Sequence, residues 1–364
     1  MENKKKICFV AQFPPPIHGL SKAVETLYNS SINGMYDFEK VDITNNKKII
    51  KTIISILKSN ADLFYFTISQ TIGGNIRDLI ILKLFSLKNK KVLIHLHGGY
   101  YRKLVDNDMK PWQRKANYKA ISKVDGAIVL GPSLKWIFEG MIESEKIYTV
   151  PNCVDDEFLL SNDDLDKKIN YIIKQEEKHV LWLSNFIESK GYKIVLKLAK
   201  YEKEHAESIG PRRLHFDFAG KFFDKNDEIY FNNYIKENGL FNYVSYHGIV
   251  IGKKKKELLK RASFFILPTR YPKEGQPISI LEAKANGIAV ITTNHAGITD
   301  IIHDGEDGII LYDNMEQDIE YTYNKIFQYD TNVLSFNGWK NCREEFNQKK
   351  YIENMKKVYS EILN

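Results

Sequence analysis

The chain has 364 residues, 43% of them hydrophobic and 27% charged, and a formal net charge of +7. That length accommodates two domains of ordinary size, and no stretch approaches the roughly 18 uninterrupted apolar residues that a membrane span requires. Cys8, Cys153 and Cys342 are scattered and odd in number, which fits neither a disulfide framework nor a thiolate metal centre and points to a reducing cytoplasm.

The charge is uneven. Residues 1–165 carry 23 Lys+Arg against 18 Asp+Glu, or +5, which leaves 30 against 28, or +2, for the remainder. This excess is too diffuse for a nucleic-acid groove and comes without zinc-finger or RNA-recognition signatures, so no nucleic-acid partner is expected. An anionic membrane surface or a phosphate-bearing substrate is compatible with it.

In chain order, the first run, KICFVAQF, stops at three prolines with no small-residue cleavage site, and so reads as a strand rather than a signal peptide. It is followed by LSKAVETLYNSSI, FEKVDI, KKIIKTIISILKSN, DLFYFTI, GGNIRDLIILKLFSL, KVLIHLHGG, WQRKANYKAISKV, GAIVLG, SLKWIFEGMI and KIYTVPN. Short apolar runs alternating with helical patterns predict a parallel sheet wrapped by helices. In residues 47–58 the isoleucines and Leu57 share one arc and Lys47, Lys48, Lys51 and Lys58 the other. That basic amphipathic helix is expected to pack its apolar arc on the core, with docking on anionic headgroups as the competing use.

A polar, acidic segment centred near residue 165 reads as the connection between domains, giving 1–165 and 166–345. The scheme then repeats with HVLWLSNF, KIVLKLAKYEKEHAES, LHFDFAG, NDEIYFNNYIKENGL, YVSYHG, KKKELLKRA, SFFILPT, PISILEAKANG, AVITTN and GIILY. A terminal helix over about 346–364, with Tyr351, Met355, Val358 and Ile362 on one face, is placed to pack back on the first domain. The expected architecture is α/β, two doubly wound Rossmann-like domains facing across a cleft.

Open parallel sheets bind ligands beyond the carboxyl ends of their strands. Three segments of the second half converge on that edge: Lys190 and Gly191 after HVLWLSNF, the loop Glu274-Gly275-Gln276-Pro277 after SFFILPT, and His295 with Gly297 after AVITTN. An ammonium beside a helix start suits a diphosphate. A carboxylate suits a vicinal diol, so Glu274 on the loop and Glu282 inside the following helix are suited to holding two sugar rings with a diphosphate between them.

These residues resemble the retaining GT-B glycosyltransferases, specifically glycosyltransferase family four. The resemblance rests on EGQPISILEA, whose two glutamates are separated by seven residues, followed by HAGITDII, and it extends over nearly the whole chain. It implies that Glu274, helped by Gly275 and Gln276, faces the transferred sugar and that Glu282 holds the ribose hydroxyls. It further implies that Lys190 and Gly191 hold the diphosphate, with Arg270 in support. The family's arginine ahead of Lys-Gly falls on Asn185, a departure that shifts leaving-group stabilisation onto Lys190 and the helix start. QFPPPIHGL is similar to the family's first glycine-bearing loop, placing His18 and Gly19 at the acceptor or cleft side. HLHGGYY is similar to the segment whose histidine lies beside the anomeric carbon, here His97. VPNCVDDEF is similar to the stretch that ends the first domain.

The implied activity is transfer of a sugar from a nucleoside diphosphate sugar, UDP first and GDP second, to an acceptor hydroxyl of a glycan or lipid-linked glycan. No metal or other cofactor is expected, and the place of work is the cytoplasm, including the inner face of the membrane. The competing reading, prompted by Asn185, is a non-catalytic partner subunit that binds a nucleotide-sugar or glycan. More ordinary roles are assigned elsewhere. His95 is read as a packed histidine on the strand face opposite His97, Lys253–Lys256 as solvated, and Tyr100, Tyr101 and Trp112 as acceptor-groove candidates.

Overall fold

The computed structural model describes residues 4–16, 19–211, 213–312 and 318–364, and these divide into two compact units. The first comprises Met1–Cys153, Lys273–Gln276 and Gln348–Asn364, the second Val154–Pro272 and Pro277–Asn347.

In the first unit, strands β1 (Lys6–Ala11), β2 (Asp37–Asp42), β3 (Leu63–Thr67), β4 (Lys91–His95), β5 (Gly126–Val129) and β6 (Ile147–Thr149) form a parallel sheet in the order β2-β1-β3-β4-β5-β6. In the second, β7 (Lys178–Leu183), β8 (Leu214–Ala219), β9 (Val244–Tyr246), β10 (Phe264–Leu267), β11 (Ala289–Thr293) and β12 (Ile309–Leu311) are also parallel, in the order β12-β11-β10-β7-β8-β9. Helices cover both faces of such sheets, so their central strands are apolar throughout: β3 (LFYFT) and β10 (FFIL) are buried at every position. The expected α/β class with two Rossmann-like units is what the chain forms. SLKWIFEGMI, read as a helix, is instead a short 3-10 stretch, Pro132–Phe138.

The chain enters the second unit at Val154, ahead of the boundary near 165. Val154 N-H donates to Phe346 O at 2.8 Å, Leu160 N-H to Ala285 O at 3.1 Å, and Trp339 Nε1-H to Leu160 O at 2.9 Å. Phe158 joins the second core. The acidic composition of 155–164 reads as a linker, but Phe158 and Leu160 within it are docked on the second unit. The helix Gln348–Leu363 groups with the first unit and buries Tyr351, Met355, Val358, Tyr359 and Ile362 in that unit's core.

One buried charge ties β7, β8 and the end of β9 together. Asp217 on β8 accepts from His179 Nδ1 at 2.7 Å, His247 Nε2 at 2.7 Å and Arg261 Nη2 at 2.6 Å. Burial pushes its carboxyl up, but the two histidine hydrogen bonds and the Arg261 guanidinium outweigh that and hold it well below the usual carboxylate range. Removing one member of a buried charge group leaves the rest uncompensated. Asp217→Ala is therefore expected to cost about 3 kcal/mol, read as a fall of several degrees in Tm.

Candidate functional site

In the second sheet the strand order reverses between β7 and β10, the position at which doubly wound sheets open a ligand crevice. The loops leaving these two strands carry Asn185, Lys190, Gly191 and Arg270. Gly191 sits at φ +81°, and a Cβ there would lie 2.4 Å from the Pro268 carbonyl oxygen, so only glycine allows the two loops to cross this closely. Arg270 N-H donates to Ser189 O at 2.6 Å. Arg270 Nη1 donates to Asn294 O at 2.9 Å, and His295 Nε2 to Tyr271 O at 2.7 Å, so the loop after β11 is fastened to the same frame.

The helix Tyr192–Ser208 starts directly after Gly191 with no acidic residue in its first turn. Its positive end is therefore not offset by a carboxylate of its own. Lys190 Nζ lies 4.6 Å from the centre of the Tyr271 ring, which holds the ammonium beside that helix start. Asn185 is exposed. Lys190, Gly191 and Arg270 are thus brought together around one helix start, an arrangement able to hold a diphosphate.

Glu282 lies in the helix Ile278–Ala285, which begins immediately after Pro277. The glutamate is buried, and Lys255 Nζ donates to its Oε1 at 2.6 Å. Burial pushes the Glu282 carboxyl up, whereas Lys255 pulls it down, with a net upward displacement. Lys255 also stands 4.9 Å from the Phe158 ring centre.

The reading of Lys253–Lys256 as solvated therefore fails at Lys255. The inward set on the helix Gly252–Arg261, namely Lys255, Leu258 and Leu259, has helical spacing. This is the signal that marks Lys255, the functional candidate absent from the sequence reading.

In the first unit, His97 follows β4. Its ring stacks on His95, centroids 3.9 Å apart. The expectation of opposite faces is incorrect, since residues two apart along extended chain point the same way. His95 Nδ1 pairs with Tyr65 Oη at 2.7 Å.

Residues 273–276 group with this unit although both flanks belong to the second. A Cβ at Gly275 would meet His97 O at 2.9 Å and Gly98 Cα at 3.0 Å, so this loop lies against the end of β4 with no room for a side chain. Gln276 is pinned by Asn152, whose N-H donates to Gln276 Oε1 at 3.1 Å and whose Nδ2 donates to Gln276 O at 3.0 Å. Glu274 is buried beside them in sequence.

Of the acceptor-side residues, Gly19 opens the helix Gly19–Tyr28 and is exposed, while His18 lies outside the described residues. Tyr101 is buried, its hydroxyl donating to Asn117 at 2.8 Å, and so belongs to the core and not to an acceptor groove. Tyr100 donates to Asp108 at 2.9 Å. Among the described residues, no group of three or more His, Cys, Asp or Glu is arranged to hold a metal.

Residues 163–331 match the family described as glycosyl transferases group 1. The chain is 23% identical over 327 residues to an uncharacterized glycosyltransferase of Methanocaldococcus jannaschii, covering 88% of this chain and 80% of that one. It is 26% identical over 335 residues to an uncharacterized 41.2 kDa protein in the cps region of Klebsiella pneumoniae, with 88% and 84% covered. The crystal structure of Anabaena HepE in complex with UDP superposes with a TM-score of 0.75 at 13% identity, over 98% of this chain and 100% of that chain. The fold is accordingly GT-B, and the matches together support a GT-B glycosyltransferase.

Two outcomes follow from the geometry of these sites. Gly191→Ala is expected to cost on the order of 2 kcal/mol through its left-handed backbone and the carbonyl contact, visible as a lower urea midpoint at unchanged slope. For His95, burial and then the neighbouring His97 push the imidazole well below its ordinary 6.5. The folded chain then binds fewer protons there than the unfolded chain, so this contribution is full above pH 6.5 and is lost as pH falls below it. Tm should drop between pH 7 and 5, and His95→Asn should make the drop shallower.

Proposed function

We propose that this chain is a retaining glycosyltransferase that moves a sugar from a nucleoside diphosphate sugar to an acceptor hydroxyl in the assembly of a surface polysaccharide or glycoconjugate. The observation that carries the reading is the switch point of the second sheet. There a lysine, a helix start and a glycine crossing of two loops stand in the unit that also holds the buried Glu282, within the segment matching glycosyl transferases group 1.

In this reading Lys190 and the N-H groups at the start of the helix Tyr192–Ser208 bind the diphosphate, and they bind it more strongly as the sugar leaves and charge builds on it. Glu282 accepts from the ribose hydroxyls, with Lys255 opposing the burial that favours its protonated form. Glu274 orients the transferred sugar, and His97 lies at the anomeric carbon. The departing diphosphate takes the acceptor proton, so the protein's work is positioning and charge stabilisation, without a metal. UDP is the preferred nucleotide, in keeping with the UDP and UDP-glucose complexes of HepE, and GDP is second. The acceptor is a glycan or lipid-linked glycan presented on the cytoplasmic side.

The test is thermal stability against UDP, GDP, ADP and CDP. A ligand at 100 times its Kd adds about 2.7 kcal/mol, or several degrees. One nucleotide should raise Tm in the wild type and not in Glu282→Ala, and Lys190→Ala should lower kcat with the matching sugar nucleotide on the order of a hundredfold. No shift with any nucleotide at millimolar concentration contradicts the donor site. A nucleotide shift with no transfer, restored by Asn185→Arg, supports the partner-subunit reading instead.

A further inference from the structure

The edge strand β2 and the helix after it, Ile49–Lys58, enclose a concavity in the first unit of about 590 Å³, a volume typical of small-ligand sites. It opens at the carboxyl end of β2, the edge at which open parallel sheets take their ligands. The strand β4, which His97 follows, ends on the same edge. In the order β2-β1-β3-β4 it lies three strand spacings away, or about 14 Å.

The walls are held by the two neighbouring strands. Ile43 N-H donates to Ala11 O at 3.0 Å and Phe13 N-H to Thr44 Oγ1 at 3.2 Å, which fastens the loop after β2 to the loop after β1. Alternation along β2 puts Lys40 and Asp42 on one face. Lys40 Nζ stands 3.9 Å from the centre of the buried Phe13 ring, and a ring face holds an ammonium in place. On the helix side, Lys48, Lys51, Thr52 and Ser55 are spaced by three and four residues and form one stripe that lines the concavity. Ile50, Ile54 and Leu57 lie elsewhere on the helix and stay exposed, so the expectation that its apolar arc packs on the core holds for only part of it.

The polar groups of these walls are short of partners. Among the described residues, Lys40, Lys48 and Lys51 are in no ion pair and donate no hydrogen bond. Thr52 is 5% exposed and its hydroxyl has no hydrogen-bond partner among them either. A threonine inside a helix ordinarily bonds the carbonyl four residues back, and a buried hydroxyl left open is costly. Asp42 is the one carboxylate among the described lining residues. Its Oδ1 accepts from Thr44 N-H at 2.9 Å and from Thr44 Oγ1 at 2.5 Å.

Three ammonium groups against one carboxylate attract an anion. A bare phosphate is repelled by Asp42 and leaves the Thr52 and Ser55 stripe partly unused. A sugar unit bearing a phosphate or carboxylate uses every group: its anion meets the ammoniums, and its hydroxyls donate to Asp42 and exchange hydrogen bonds with Thr52 and Ser55. We propose that this concavity binds an acidic sugar unit of the acceptor and so selects acidic glycans over neutral ones, whose hydroxyls leave the ammoniums without a counter-charge. The distance to the end of β4 sets this unit apart from the ring that receives the new sugar. The acceptor role rests on the function proposed above; the binding site does not.

The test is titration calorimetry of the full chain with glucose 6-phosphate, glucuronate, glucose and inorganic phosphate, with the effect of UDP on Tm measured on the same samples. The two anionic sugars are expected to bind, glucose not to bind, and inorganic phosphate to bind more weakly than glucose 6-phosphate by about tenfold. Lys48→Ala/Lys51→Ala should weaken both anionic sugars by about a hundredfold, and Thr52→Val by about fivefold, while Lys190→Ala leaves their affinities unchanged. With the matching sugar nucleotide, oligosaccharides bearing glucuronate should be used in preference to neutral ones, and Lys48→Ala/Lys51→Ala should raise KM for them more than it lowers kcat. Glucose or inorganic phosphate binding as tightly as the anionic sugars, no binding of either anionic sugar, or affinities indifferent to the variants at 48, 51 and 52 overturns the proposal. So does loss of sugar binding in Lys190→Ala, which would assign it to the diphosphate site, or equal use of neutral acceptors. Variant-sensitive binding of the anionic sugars beside a missing UDP shift supports the site and contradicts the donor reading instead.

Discussion

The candidate donor site depends on one close backbone crossing. Between β7 and β10 the chain brings Gly191 against the Pro268 carbonyl and joins Ser189 to Arg270 by a 2.6 Å hydrogen bond. No side chain fits between them. This contact sets where the helix Tyr192–Ser208 begins and hence where its N-H groups point. Lys190, one residue earlier, is held beside the Tyr271 ring by the same crossing. A loose loop would carry the same residue types without fixing their positions, and charge stabilisation of a leaving group requires donors already in place.

The second constraint is electrostatic. Glu282 is a carboxylate inside a mostly apolar helix, where burial favours the protonated acid. Lys255 opposes that tendency at 2.6 Å. In the proposed function a ribose diol needs an acceptor, and Lys255 pulls the carboxyl toward the ionised form that accepts. Asp217 in the same unit shows the opposite balance: three donors outweigh burial there, and its work is to hold β7, β8 and β9 together.

The fold was legible because the two periodicities, apolar strand runs and amphipathic helices, alternate along the whole chain. Glu282, Lys190 and Gly191 were legible because strand, loop and helix signals flank them closely. The boundary at Val154 was not, because backbone hydrogen bonds to Phe346 and Ala285 hold that stretch regardless of its acidic side chains. Lys255 was hidden among four consecutive lysines, where only the phase of the helix separates the inward one from its neighbours. The stacking of His95 on His97 follows from strand alternation and required no structure to foresee. The outward isoleucines of the first unit were ambiguous in sequence, since an arc wider than the core uses looks the same as one packed wholly on it.

The most direct test of the central claim, that the β7 and β10 loops together with Glu282 form a nucleotide site, is a crystal structure of the chain with UDP. The account predicts the diphosphate against Lys190 and the start of the helix Tyr192–Ser208, with the ribose hydroxyls on Glu282. UDP bound away from these residues, or Glu282 still engaged by Lys255 alone while the nucleotide sits elsewhere, would contradict it.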